Sequence, residues 1–304
     1  MCDKDSEQDI QAYLSSSSRL NRRDFNKLLA LGTLAAGFPQ FASAADVVES
    51  NVFVATPDGT ADCYFVRPAS GKHPSVLMWP DIKGLRPAFK AMAKRLASAG
   101  YAVLVLNPFY RDVKGLALPA GVEFPSEEAW KILRGYRAKL TPDAVVRDAR
   151  ACFAYLDKQP EVSKKRGAAA MGYCMSGSFV MRAAAAMPER IKAIASFHGG
   201  GLATSEPDSP HLTIPQSTAA VLHAIAENDD KKDPQMKQLL REAYSRAKLP
   251  AEIEVYAGTL HGWCPRILKP ITMCKRKKPG RGHSLCLTRL LTSTANKSAE
   301  LSPQ

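Results

Sequence analysis

The chain has 304 residues, 45% apolar and 23% charged, an ordinary globular composition long enough for one large domain with a full core. Its formal net charge of +13 raises a nucleic-acid reading, but the charge is uneven: residues 266–304 hold nine Lys or Arg against the single acid Glu300, while residues 1–44 hold five bases and five acids. The body between them therefore lacks a strongly basic face, and no apolar stretch is long enough to span a bilayer, so neither a nucleic-acid partner nor a stable membrane anchor is expected.

In chain order, Asn21-Arg22-Arg23-Asp24-Phe25-Asn26-Lys27 precedes a modest apolar run over 28–38 and then Ala42-Ser43-Ala44. This resembles a twin-arginine export signal with a small-residue cleavage site after Ala44. Residues 1–44 are read as that signal, the twin-arginine export machinery as a partner and the periplasm as the destination. Seven scattered cysteines match neither a disulfide framework nor a zinc pattern, and no metal or organic cofactor is expected.

Two strands over 51–56 and 61–67 flank the hairpin signal Pro57-Asp58-Gly59. From there the pattern alternates: strand 75–79, helix 87–98, strand 101–106, helices near 126–136 and after Thr141-Pro142, strand 167–171, helix 177–187, strands 191–197 and 219–226, helix 234–248 and strand 251–256. Strands alternating with helices predict an α/β domain over 45–265, with a mostly parallel central sheet and helices on both faces. After Cys264-Pro265 the chain turns basic and poor in acids, so 266–304 is expected to be a solvated, divergent or frame-shifted tail.

The stretch Gly172-Tyr173-Cys174-Met175-Ser176-Gly177 puts a cysteine at a turn from a buried strand into a helix. Such a turn exposes a nucleophile above the sheet, and the helix N-terminus favours the thiolate. A cysteine nucleophile needs a base and a group that orients the base. Glu227-Asn228-Asp229-Asp230 and His261-Gly262 each follow a strand, and parallel strands bring such ends to one edge. The order nucleophile, acid, histidine is that of the α/β-hydrolase fold. His198 also follows a strand and stays open as a base, Asp230 as the acid, and Ser176 as a less well framed nucleophile.

Together with Trp79-Pro80-Asp81-Ile82-Lys83-Gly84-Leu85, these motifs resemble the dienelactone hydrolase family, cysteine-based members of the α/β-hydrolase superfamily, over roughly 50–265. The resemblance implies Cys174 as nucleophile, Asp229 as orienting acid, His261 as base, and Asp81, where the family usually has glutamate, as a partner of the resting thiol. It further implies backbone N–H groups of Ile82 and Met175 as the oxyanion hole, and Arg111, Tyr110 and Trp263 as substrate-binding residues. Ser176 stands where a glycine is usual. The expected activity is cleavage of a small-molecule ester or lactone through a thioacyl-enzyme. The rival expectation is an inactive hydrolase-fold protein that serves as a binding or interaction module.

Overall fold

The structure is a computed structural model and describes residues 46–264; the segments read from the sequence as an export signal, 1–44, and as a tail, 266–304, lie outside the described residues. Its centre is an eight-stranded sheet in the order β1-β2-β4-β3-β5-β6-β7-β8. The strands are β1 (Val47–Thr56), β2 (Gly59–Pro68), β3 (Ser75–Trp79), β4 (Ala102–Leu106), β5 (Ala168–Tyr173), β6 (Ile191–Phe197), β7 (Ala220–Ala226) and β8 (Ala251–Tyr256). β1 and β2 form an antiparallel hairpin that joins β4 antiparallel, and all other pairs are parallel. Gly59 closes the hairpin at φ 130°, a conformation that favours a residue without Cβ.

The inner strands are short and apolar because both faces are covered. Alternation along β3 divides its side chains: Leu77 and Trp79 enter one core with Phe153 and Phe179, while Val76 and Met78 enter the other with Phe89 and Tyr173. Helices α2 (Glu127–Ala138), α3 (Pro142–Leu156) and α4 (Gly177–Ala186) pack into the first core, and α1 (Pro87–Ser98) covers the second with Phe89, Ala93 and Ala97. α3 illustrates the logic. Thr141 caps it through the Ala144 N–H, Pro142 occupies its first turn, and Val145, Ala149, Cys152, Phe153 and Leu156 line its buried stripe. Burying Phe153 completely is worth about 3 kcal/mol.

Two elements add to those the sequence predicts. A 3-10 turn spans Pro210–Gln216, and a short helix α5 (Glu227–Lys232) follows β7 directly, ahead of α6 (Met236–Arg246). β1 also begins at Val47, ahead of the predicted start. α5 has no apolar stripe; acids in its first turn and lysines in its last oppose the ends of its dipole. Cys63 and Cys152 are buried free thiols in the first core. No helix of the described residues is long and apolar enough to cross a membrane.

Candidate active site

β5 ends at Tyr173, a 3-10 turn over Cys174–Ser176 follows, and α4 begins at Gly177. Cys174 takes φ 56°, a left-handed conformation costly for a residue with a side chain, and its thiol stays partly accessible at the carboxyl edge of the sheet. The turn is possible because its flanks are bare. A Cβ on Gly172 would lie 2.1 Å from the Ser176 carbonyl oxygen, and one on Gly177 would lie 2.4 Å from Ser196 Oγ and 2.8 Å from the Gly199 Cα. Glycine at these two positions lets strand, turn and helix touch.

The ends of β7 and β8 supply the partners. Asp229 on α5 and His261 in the loop after β8 meet at 2.7 Å between Oδ2 and Nδ1, and the His261 N–H donates to Asn228 Oδ1 at 2.8 Å. Thr259, hydrogen-bonded to the Tyr256 carbonyl oxygen and the Glu227 N–H, braces this loop against the start of α5. Burial pulls the His261 imidazole down, but hydrogen bonds to Asp229 and Cys174, with the charges of both, outweigh it and lift it to about 9. Asp230 points elsewhere and pairs with Lys237 of α6 at 2.6 Å.

His198, the other candidate base, is fully buried at φ 42° with neither ring nitrogen hydrogen-bonded. Its ring meets His261 edge-on at 4.9 Å and Trp263 at 5.2 Å. Burial, and then the charge of His261, push it down to about 3, so it is a neutral wall at neutral pH. The sequence pointed to it by position, at the end of β6, but not to this role.

Asp81 departs from the implied contact with the thiol. Both carboxyl oxygens are engaged by Arg86, at 2.6 and 2.8 Å, and one also accepts from the Lys83 N–H at 3.0 Å. Burial raises this carboxyl, yet the Arg86 charge and hydrogen bonds hold it below the usual carboxylate range. Arg86 is the N-cap residue of α1, which brings its guanidinium back over a side chain five positions earlier. Ile82 lies in the same loop, and Met175 follows Cys174. These two segments are neighbours because Trp79, the last residue of β3, pairs with Gly172.

The structure gives the residues expected to bind substrate partners of their own. Arg111 makes a bidentate pair with the buried Asp148 of α3 at 2.8 and 2.9 Å and reaches Asp58 of the hairpin at 2.6 Å. Tyr110 is buried, its hydroxyl bound to Asp148 at 2.6 Å and Thr56 at 2.7 Å. Their polar atoms are thus held by α3 and the hairpin, which they tie together. Trp263 is buried between His198 and Tyr256, where its ring backs the histidine pair.

Residues 61–269 match the dienelactone hydrolase family. The chain belongs to that family. Its relatives include a carboxymethylenebutenolidase of Rhodococcus opacus, 22% identical over 66% of this chain and 74% of that protein, and a carboxymethylenebutenolidase of Pseudomonas sp., 30% identical over 39% of this chain and 47% of that protein. Solved structures with the same fold include a dienelactone hydrolase-like promiscuous phosphotriesterase from metagenomic libraries, with TM-score 0.58 and 22% identity over 84% of this chain and 98% of that one. A dienelactone hydrolase from Anabaena variabilis matches with TM-score 0.52 and 16% identity over 84% of this chain and 96% of that one. The α/β-hydrolase fold and a hydrolase of the dienelactone hydrolase type follow from this membership.

Proposed function

We propose that the chain cleaves a small-molecule ester or lactone by covalent catalysis at Cys174. The observation that carries this reading is the convergence of three strand ends: Cys174 in a left-handed turn, close enough to His261 to act on its charge, and Asp229 bound to the Nδ1 of that histidine. The Cys174 proton passes to His261, and Asp229 steadies the imidazolium. The sulfur attacks the carbonyl carbon, the oxyanion that forms lies toward the Ile82 and Met175 N–H groups, and His261 returns its proton to the departing alkoxide. Water, deprotonated by His261, then attacks the thioester; the C–S bond breaks, the acid leaves and the thiol is restored.

The test is turnover of activated esters and enol-lactones by the full chain and by Cys174→Ala. Loss of at least about 1000-fold in kcat/KM is expected for the variant, and equal rates would overturn the mechanism. The same reading extends to export: the paired Arg22-Arg23, the apolar run and Ala42-Ser43-Ala44 support twin-arginine translocation to the periplasm. Replacing both arginines by lysine should keep the protein in the cytoplasm.

A further inference from the structure

We infer that Ser176 is a positioning residue: its hydroxyl ties the nucleophile turn to the loop after β3 and so sets the separation of the two oxyanion-hole amides. The inference rests on the functional reading above and goes beyond it, since that reading makes Cys174 the nucleophile and leaves the Ser176 side chain no part. Ser176 is fully buried, and its Oγ accepts from the Tyr173 N–H at 2.8 Å. The same oxygen lies 2.8 Å from the Trp79 carbonyl oxygen and 2.9 Å from those of Pro80 and Tyr173. A hydroxyl has one hydrogen, so these three acceptors share it. Trp79 ends β3 and Pro80 begins the loop that carries Asp81 and Ile82, while Tyr173 ends β5 just ahead of the turn that carries Cys174 and Met175.

The backbone alone does not make this link. The ladder between β3 and β5 ends at Trp79 and Gly172, so beyond that pair no strand hydrogen bond holds the loop to the turn. The Ser176 hydroxyl begins where the ladder stops. One donor is on each side of this junction, the Ile82 N–H in the loop and the Met175 N–H in the turn. An oxyanion is stabilised only by donors within about 2.7–3.1 Å of it, so a slip of a few tenths of an ångström between the segments weakens one of them. A glycine here would leave the two segments in contact but without that tie.

The experiment uses the full chain with Ser176→Ala and Ser176→Gly. For activated esters, kcat should fall about 10- to 100-fold with KM within about threefold, below the loss for deleting a donor outright. Alkylation of Cys174 by iodoacetamide, which needs the thiolate and His261 but no oxyanion hole, should keep its rate and pH profile. A small aldehyde inhibitor, whose carbonyl carbon bonds to the Cys174 sulfur while its oxygen becomes the oxyanion or hydroxyl of a tetrahedral hemithioacetal, should lose affinity by the same factor as kcat/KM. Ser176→Cys, of similar size and with a weaker donor, should fall between wild type and Ser176→Ala and guards against a variant that fails to fold. The inference is overturned if turnover is unchanged, if alkylation slows in step with turnover, or if aldehyde affinity holds while kcat falls. Wild-type chain that cleaves none of the esters overturns the functional reading and this inference with it; wild-type turnover beside any of those three results overturns the inference alone.

Discussion

His261 is held between an anion and a thiol, and its proton responds to both. Asp229 Oδ2 lies 2.7 Å from Nδ1, and with Cys174 it lifts the imidazole to about 9. The acylation step needs that proton for the leaving alkoxide, so kcat/KM should fall on the alkaline side with an apparent midpoint near 9. Asp229→Asn removes the neighbouring anion; the alkaline limb should then move to lower pH by about a unit or more, with kcat/KM down at least about 100-fold. Asp230→Asn should leave both the limb and the rate within about threefold, because Asp230 pairs with Lys237. A pH–rate series from 5 to 10 on the two variants checks this; equal behaviour of the two would overturn the assignment. The choice between these neighbours was not legible in the sequence. Consecutive residues on a helix point about 100° apart, and α5, a helix without apolar periodicity, turns Asp229 to His261 and Asp230 to α6.

Between elements, a polar tie outside the active site is the Arg111 network. It links the loop after β4 to Asp148 of α3 and Asp58 of the hairpin, and Arg147 shares Asp58 at 2.8 Å. Arg111→Met leaves the fully buried Asp148 without its guanidinium partner, a change expected to cost about 3–5 kcal/mol. The ratio of kcat/KM for an anionic ester to that for its neutral analogue should not change, whereas a substrate-binding arginine would lower that ratio sharply. Urea unfolding and paired ester kinetics separate the outcomes. The elements themselves were readable wherever burial writes a pattern. β3 beyond its first residue and β4 are apolar runs, β6 and β7 are apolar but for Lys192, Ser196 and His223, and α3 has a cap, a first-turn proline and a stripe. What the sequence hid were partnerships set by reach across space. Arg86 captures Asp81 because α1 starts just above it, and Arg111 meets Asp148 across 37 positions of chain. No local periodicity records such a meeting.

For the whole molecule, the two buried histidines and His261 set opposite limits on stability. His198 and His223 are fully buried, and burial, with the His261 charge added at His198, pushes each down to about 3. An unfolded histidine titrates near 6.5, so between 6.5 and about 5 the unfolded chain binds more protons than the native one, and stability falls as pH falls. The limiting slope is about 1.4 kcal/mol per pH unit for each histidine. His261 has the opposite sign. Its native value of about 9 lies above 6.5, so its contribution is complete below 6.5 and is lost as pH rises toward 9. Buried Cys152 and Cys264, held above the usual thiol range, add to that loss only nearer pH 9. Stability should therefore peak near pH 6.5–7. His223→Phe should roughly halve the slope on the acid side, since only His198 then remains buried and neutral, and His261→Gln should flatten the fall between 6.5 and 8 while changing the acid side only through His198, which loses a neighbouring charge but stays buried. Urea midpoints measured at half-unit steps from pH 5 to 8 give both limbs, and a wild-type curve that is level across that range would overturn the account of all three imidazoles.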